Sequence, residues 1–165
     1  MKRRTVVATT AAASLCWAAG CVPSQPNELD KLGTVDVQIK GQNFRLWIAD
    51  ENDERLAGLM FVTAEQMADL PDGTKRGMIF VFSFEQFMSF WMRNTIIPLD
   101  IAYLDSTGAV LNTHTMMPLD DRPNQYPSDG RALMAIEVNE GVFGELGLTK
   151  GDLIALSAEL RNSGR

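Results

Sequence analysis

Asp100 and Glu137 are the acidic residues most clearly embedded in apolar, strand-like runs: LDIAYL around the first and RALMAIEV around the second. Side chains alternate along a strand, so Asp100 falls on one side with Ala102 and Leu104 while Leu99, Ile101 and Tyr103 take the other. Glu137 shares a side with Leu133 and Ala135. A strand that is apolar on both sides is covered on both sides. A carboxylate inside it is costly unless it is paired or hydrogen-bonded. Candidate partners are the cations Arg55, Arg93 and Arg45, and the neutral donors of Asn94-Thr95. With Trp91, Met92 and Tyr103 as apolar walls, these residues make the mixture expected of a small-ligand pocket. Two carboxylates could also act as acid and base in a hydrolase. The competing reading is structural, with the same groups holding loops and arginines in place.

Other chemistries have less support. His114 is the only histidine, and zinc requires three or four N, S or O ligands, so no metal and no cofactor is expected. Apart from Met1, the eight methionines are interleaved with Phe80, Phe82, Phe84, Phe87, Phe90 and Trp91. That is the pattern of a core with sulfur–aromatic contacts rather than of a copper(I) site. No GxGxxG, GxxxxGK[ST] or GxSxG motif is present.

The N-terminus reads as an export signal. MKRRT is followed by an uncharged, Ala-rich run from Val6 to Gly20, which is short for a membrane span. The run leads into Ala18-Ala19-Gly20-Cys21, which resembles a bacterial lipobox, with Ala18 where Leu is more typical, and makes Cys21 the expected lipidation site and sole membrane attachment; the alternative is cleavage after AAG or AAA with no lipid. The other cysteine, Cys16, lies within the signal, so the mature domain has no disulfide. Lys2, Arg3 and Arg4 are the only charged residues before Cys21, and losing them takes the formal charge from −6 to −9. So acidic a domain repels phosphate backbones, and nucleic acid is not an expected partner.

The organisation that follows is residues 1–20 as signal, 21–33 as a Pro-containing tether, 34–160 as one domain and 161–165 as a tail. Within the domain, TVDVQIK and FRLWIAD alternate on either side of Gly41, predicting a hairpin. Leu56, Leu59 and Met60 have helical spacing, with Asp50 or Asn52 as cap. Thr63 and Gln66 form a capping-box pair ahead of a second short helix, AEQMADL. GMIFVF, FWMR, LDIAYL, AVLNTH, RALMAIEV and DLIALSAEL read as strands, and VFGELG as a short helix ending before Gly147. This pattern predicts a mainly β fold, a β-sandwich or partly closed barrel, with two or three short helices.

Glu54-Arg55, Gly58-Leu59-Met60, Gly77 to Phe82, Phe90 to Thr95 with Pro98 to Ile101, Ala135 to Val138 with Gly141, and Gly151-Asp152 occur in that order. Together they resemble the domain of unknown function 192 (DUF192) family over about residues 34–160. The chain departs from the family pattern after Met60, where Phe61-Val62 replaces a basic residue. The resemblance implies a compact, mainly β fold and no settled reaction. It marks Arg55, Trp91, Met92, Asn94, Thr95, Asp100 and Glu137 as candidate ligand-binding positions. The sequence is thus read as an exported, lipid-anchored envelope module that binds a small polar ligand or a protein partner. The alternative is a hydrolase acting on an envelope component through Asp100 or Glu137.

Overall fold

Lys40 and Gly41, at φ of 51° and 85°, make the tight turn that folds β1 (Thr34–Ile39) back on β2 (Gln42–Ala49). Two consecutive positive φ values give the turn a twist that matches the paired strands, and glycine adopts the second without strain. The computed structural model describes residues 28–164. The signal, Cys21 and the start of the tether lie outside the described residues.

After β2 come α1 (Asn52–Ala57) and a stretch of turns, and β3 (Lys75–Gln86) then runs parallel to β2. The remaining elements are β4 (Ser89–Phe90), β5 (Leu99–Leu104), β6 (Val110–Met116), β7 (Tyr126–Pro127), β8 (Ala132–Asn139), α2 (Val142–Glu145) and α3 (Ala158–Ser163). The main sheet has six strands in the order β1-β2-β3-β8-β5-β6, and β4 and β7 form a separate two-stranded ribbon. The fold is mainly β with few helices, as expected. The sheet is open rather than closed into a barrel, with β1 and β6 at its edges.

Strands β5 and β8 sit inside the sheet, and every residue of β5 and all but the last of β8 are buried. One sheet face, with Phe44, Leu46, Ile79, Ala102, Ile136 and Val138, packs against Val142 and Phe143 of α2 and Leu160 of α3. The opposite face, with Trp47, Met78, Phe80, Ile101, Tyr103 and Ala135, is covered by Leu59, Val62, Met67, Met88, Met92 and Tyr126. Irregular segments therefore roof the second face. There the backbone finds its partners in turns and cross-links, such as Met92 N–H to Asp120 O at 2.7 Å.

Four segments differ from their sequence reading. Helix α1 ends at Ala57, because Gly58 takes a positive φ, so Leu59 and Met60 fall in the turns beyond it and Leu56 is left exposed rather than sharing a buried helical face with them. AEQMADL is a run of turns: Thr63 and Gln66 do exchange hydrogen bonds, of 2.9 and 3.4 Å, but Pro71 and the Leu70–Gly73 turn follow too soon for a helix to propagate. FWMR keeps only Phe90 in a strand, because Asn94 takes the left-handed region at φ 57° and Thr95 N–H closes a turn onto Met92 O at 3.1 Å. DLIALSAEL contributes a single bridge, Leu153 to Ala109, and then α3, whose first turn is capped by Ser157 Oγ accepting from Leu160 N–H at 3.1 Å.

Candidate functional site

The short helix α1 is capped by Glu51, which is in extended conformation, rather than by Asp50 or Asn52. Glu54 reaches back so that its Oε2 accepts from the N–H of Asp50 (3.1 Å) and of Glu51 (3.0 Å). This anchoring presents Arg55 to β3. Its Nη1 donates to Asp50 O and to Val81 O (2.8 Å), its Nη2 donates to Asn52 Oδ1 (3.0 Å), and the guanidinium lies 5.1 Å from the centre of the Phe82 ring. Arg55 thus staples the helix to the sheet, and among the described residues no carboxylate forms an ion pair with it. The helix leaves through Gly58, at φ 48°. A Cβ there would stand 3.4 Å from the Phe80 ring in a strained backbone, so glycine lets the chain cross Phe80 closely.

Glu137 lies under this exit. On β8 it stands opposite Met78 of β3 and Ile101 of β5, so it belongs to the face roofed by irregular segments. It is 4% exposed, and no hydrogen bond or ion pair from the described residues reaches its carboxyl group. Among the described residues no fully enclosed side-chain polar atom lacks a partner. The carboxyl oxygens must therefore touch open space. Burial pushes Glu137 up to about 8, so the acid is protonated at neutral pH. On the same face, burial first and the nearby Glu137 second raise the Tyr103 hydroxyl far above its usual range, while that hydroxyl donates to Tyr126 O at 2.5 Å.

The open space is a hollow of about 30 Å³ bounded by Arg55, Gly58, Met60, Phe80, Phe90, Trp91, Thr95 and Glu137. That admits a group of roughly one water in size. It shares Arg55, Leu56, Phe90 and Trp91 with a shallow groove of about 410 Å³, whose remaining wall is Asn52, Phe82 and Ser89. Trp91 is 44% exposed at this groove, and the Arg93 guanidinium lies 5.6 Å from its ring.

Of the predicted site residues, Arg55, Trp91, Thr95 and Glu137 come together here. Met92 and Asn94 frame the site from outside. Met92 is buried in the core with its N–H on Asp120 O, and Asn94 accepts from Phe61 N–H at 2.9 Å and places its amide 3.9 Å from Met60 Sδ. Asp100 is elsewhere. It pairs with Val138, one residue from the Ile101–Glu137 pair, so the sheet itself separates the two acids. Asp100 is 3% exposed; its Oδ1 accepts from Thr115 Oγ1 (2.8 Å) and its Oδ2 from Phe143 N–H (3.1 Å) at the start of α2. Its role is to fasten α2 to the sheet. Arg45 pairs with Asp36 at 2.8 Å and meets neither buried acid. His114 Nε2 lies 2.7 Å from Pro127 O in the wall between β6 and β7. Among the described residues no group of three or more His, Cys, Asp or Glu is placed to hold a metal ion.

Phe80, Phe82 and Phe90 were not singled out by sequence as site residues. The alternation Met78, Phe80, Phe82 in GMIFVF carried the signal, because whichever side Glu137 shares with Met78 also holds these rings.

A mainly β fold with one buried acid facing a small aromatic groove defines the structural class. Residues 35–156 match the model of the DUF192 family, described as an uncharacterized ACR, and the chain belongs to that family. The crystal structure of a protein of unknown function from Novosphingobium aromaticivorans is similar at 33% identity and a TM-score of 0.66, over 79% of this chain and 91% of that one. A second, from Sinorhizobium meliloti, for which a role as a transcription regulator has been put forward, is similar at 25% identity and a TM-score of 0.58, over 74% and 91%. No curated protein matches the chain.

Proposed function

We propose that the protein is a non-enzymatic binding module of the cell envelope that captures a small ligand in the groove over Glu137. The observation that carries this reading is an acid buried to 4% with no protein partner, at the floor of a hollow beside a half-buried arginine that has no counter-charge. The carboxyl oxygens border the hollow, so a ligand that enters it can hydrogen-bond the acid directly. Export and anchoring through Cys21 rest on the N-terminal sequence pattern. A tether over residues 21–33 would let the domain reach ligands near the membrane surface. Among the described residues no helix is long and apolar enough to cross a membrane. Nucleic acid is not proposed as a ligand, whatever the role of the Sinorhizobium relative, because the formal charge of −6 opposes a phosphate backbone.

A fragment screen read by amide and indole NMR tests the proposal. Hits should shift the Trp91 indole and the amides of 55–60 and 137, and Trp91→Ala should weaken them. Hits that cluster on β1 or β6 instead would remove the site.

The hydrolase reading survives only in a narrower form. Asp100 and Glu137 cannot flank one bond, since they lie on opposite faces of the sheet. Glu137 alone, protonated near neutral pH, has the state a general acid needs. Turnover of an envelope substrate that disappears in a folded Glu137→Gln protein would favour it.

A further inference from the structure

Among the described residues Arg55, like Arg76, Arg93, Arg131 and Arg161, has no carboxylate at ion-pair distance, and of these arginines it is the one that lines the hollow with Glu137. Three of the five guanidinium N–H donors are taken, two by backbone carbonyls and one by Asn52 Oδ1. The Nε–H and one Nη2–H make no hydrogen bond among the described residues. The contacts that use the other donors hold the side chain in place, so little conformational freedom is lost when a ligand engages it. Glu137 lines the same hollow as a neutral acid with an O–H to donate and adds no negative charge at neutral pH. The hollow therefore offers one fixed positive charge and one neutral donor. That combination complements an anion and opposes a protonated amine. At about 30 Å³ and open to the groove beside it, the hollow receives one oxygen of a carboxylate. The groove outside is walled mainly by Leu56, Phe82, Phe90 and Trp91, and at about 410 Å³ has the size of a small-ligand site.

We propose that this site takes a small amphipathic carboxylate, its head in the hollow between Arg55 and Glu137 and its apolar body along Leu56, Phe82, Phe90 and Trp91. This deepens the small-ligand reading above and rests on it.

The test is calorimetric titration of the full chain, at neutral pH, with phenylacetate, phenylacetamide and acetate. Phenylacetate should bind at one site, with the neutral amide and the ring-less acetate each at least about tenfold weaker. Ser89→Trp, which fills the groove from an exposed position, should abolish binding in a protein of unchanged melting temperature. Arg55→Gln should do so as well; because Arg55 also staples α1, the acid-against-amide comparison on the unaltered protein decides the matter if that variant is unstable. Equal affinity for phenylacetate and phenylacetamide would overturn the carboxylate while leaving the small-ligand reading in place. So would failure of all three probes when a screened fragment still shifts Trp91. Silence of every probe and every fragment at Trp91 would remove both.

Discussion

Glutamine in place of Glu137 keeps the shape of the side chain but cannot ionise, which turns the buried acid into a measurable dependence of stability on pH. Burial raises the carboxyl from an ordinary value of 4.5 to about 8. Below pH 4.5 the acid is protonated in the folded and unfolded chain alike, so wild type and variant should have similar stability. Between 4.5 and about 8 the folded protein keeps a proton that the unfolded chain has released, and wild-type stability falls by about 1.4 kcal/mol per pH unit. Above about 8 both states are ionised and the loss is complete and constant. Across the window the loss approaches about 5 kcal/mol; water entering the hollow solvates the anion in part, so a difference on the order of 3–5 kcal/mol is expected. For a domain of this size each kcal/mol moves the melting temperature by about 3–5 °C, so the variant should melt roughly 10 °C or more above wild type on the alkaline side. Urea and thermal denaturation of both proteins, run side by side from about pH 4 to about pH 9, give the two curves. They should diverge steadily with rising pH. Curves that stay parallel across the whole range would refute the neutral buried acid, and with it the electrostatic argument for the site.

Other substitutions probe the frame. Asp100→Ala strands the buried Phe143 N–H, while the hydroxyl of exposed Thr115 turns to water, so urea denaturation should show a loss of about 1–3 kcal/mol. That is smaller than the loss expected had a buried arginine been its partner. Gly77→Ala places a Cβ 2.4 Å from Glu137 O and 2.9 Å from Leu46 Cδ2 between two central strands; overpacking there should cost about 1–3 kcal/mol or more and lower the denaturation midpoint. Cys21→Ser should move the protein from the membrane to the soluble fraction on fractionation, and continued membrane association would sink the lipid-anchor reading.

The alternation of LDIAYL and RALMAIEV, the Lys40-Gly41 turn and the helix before Gly147 are properties of a few neighbouring residues, and each was legible before any contact was known. So was the burial of both acids, because a strand apolar on both sides has no exposed face on which to put a carboxylate. The gathering of Arg55, Trp91, Thr95 and Glu137 was visible only as an ordered motif, since the residues are far apart in the chain. Where it failed, the local pattern lost to a local conformation it does not encode, as when the left-handed Asn94 broke the FWMR strand. The side of the sheet each acid occupies was decided by tertiary structure alone. It depends on β5 meeting β8 with Ile101, not Asp100, across from Glu137. Side chains alternate with a period of two, so a slip of one residue would have set both acids on one face. That register sets Asp100 on the face that α2 covers and Glu137 on the face roofed by Leu59, Val62, Met67, Met88 and Met92.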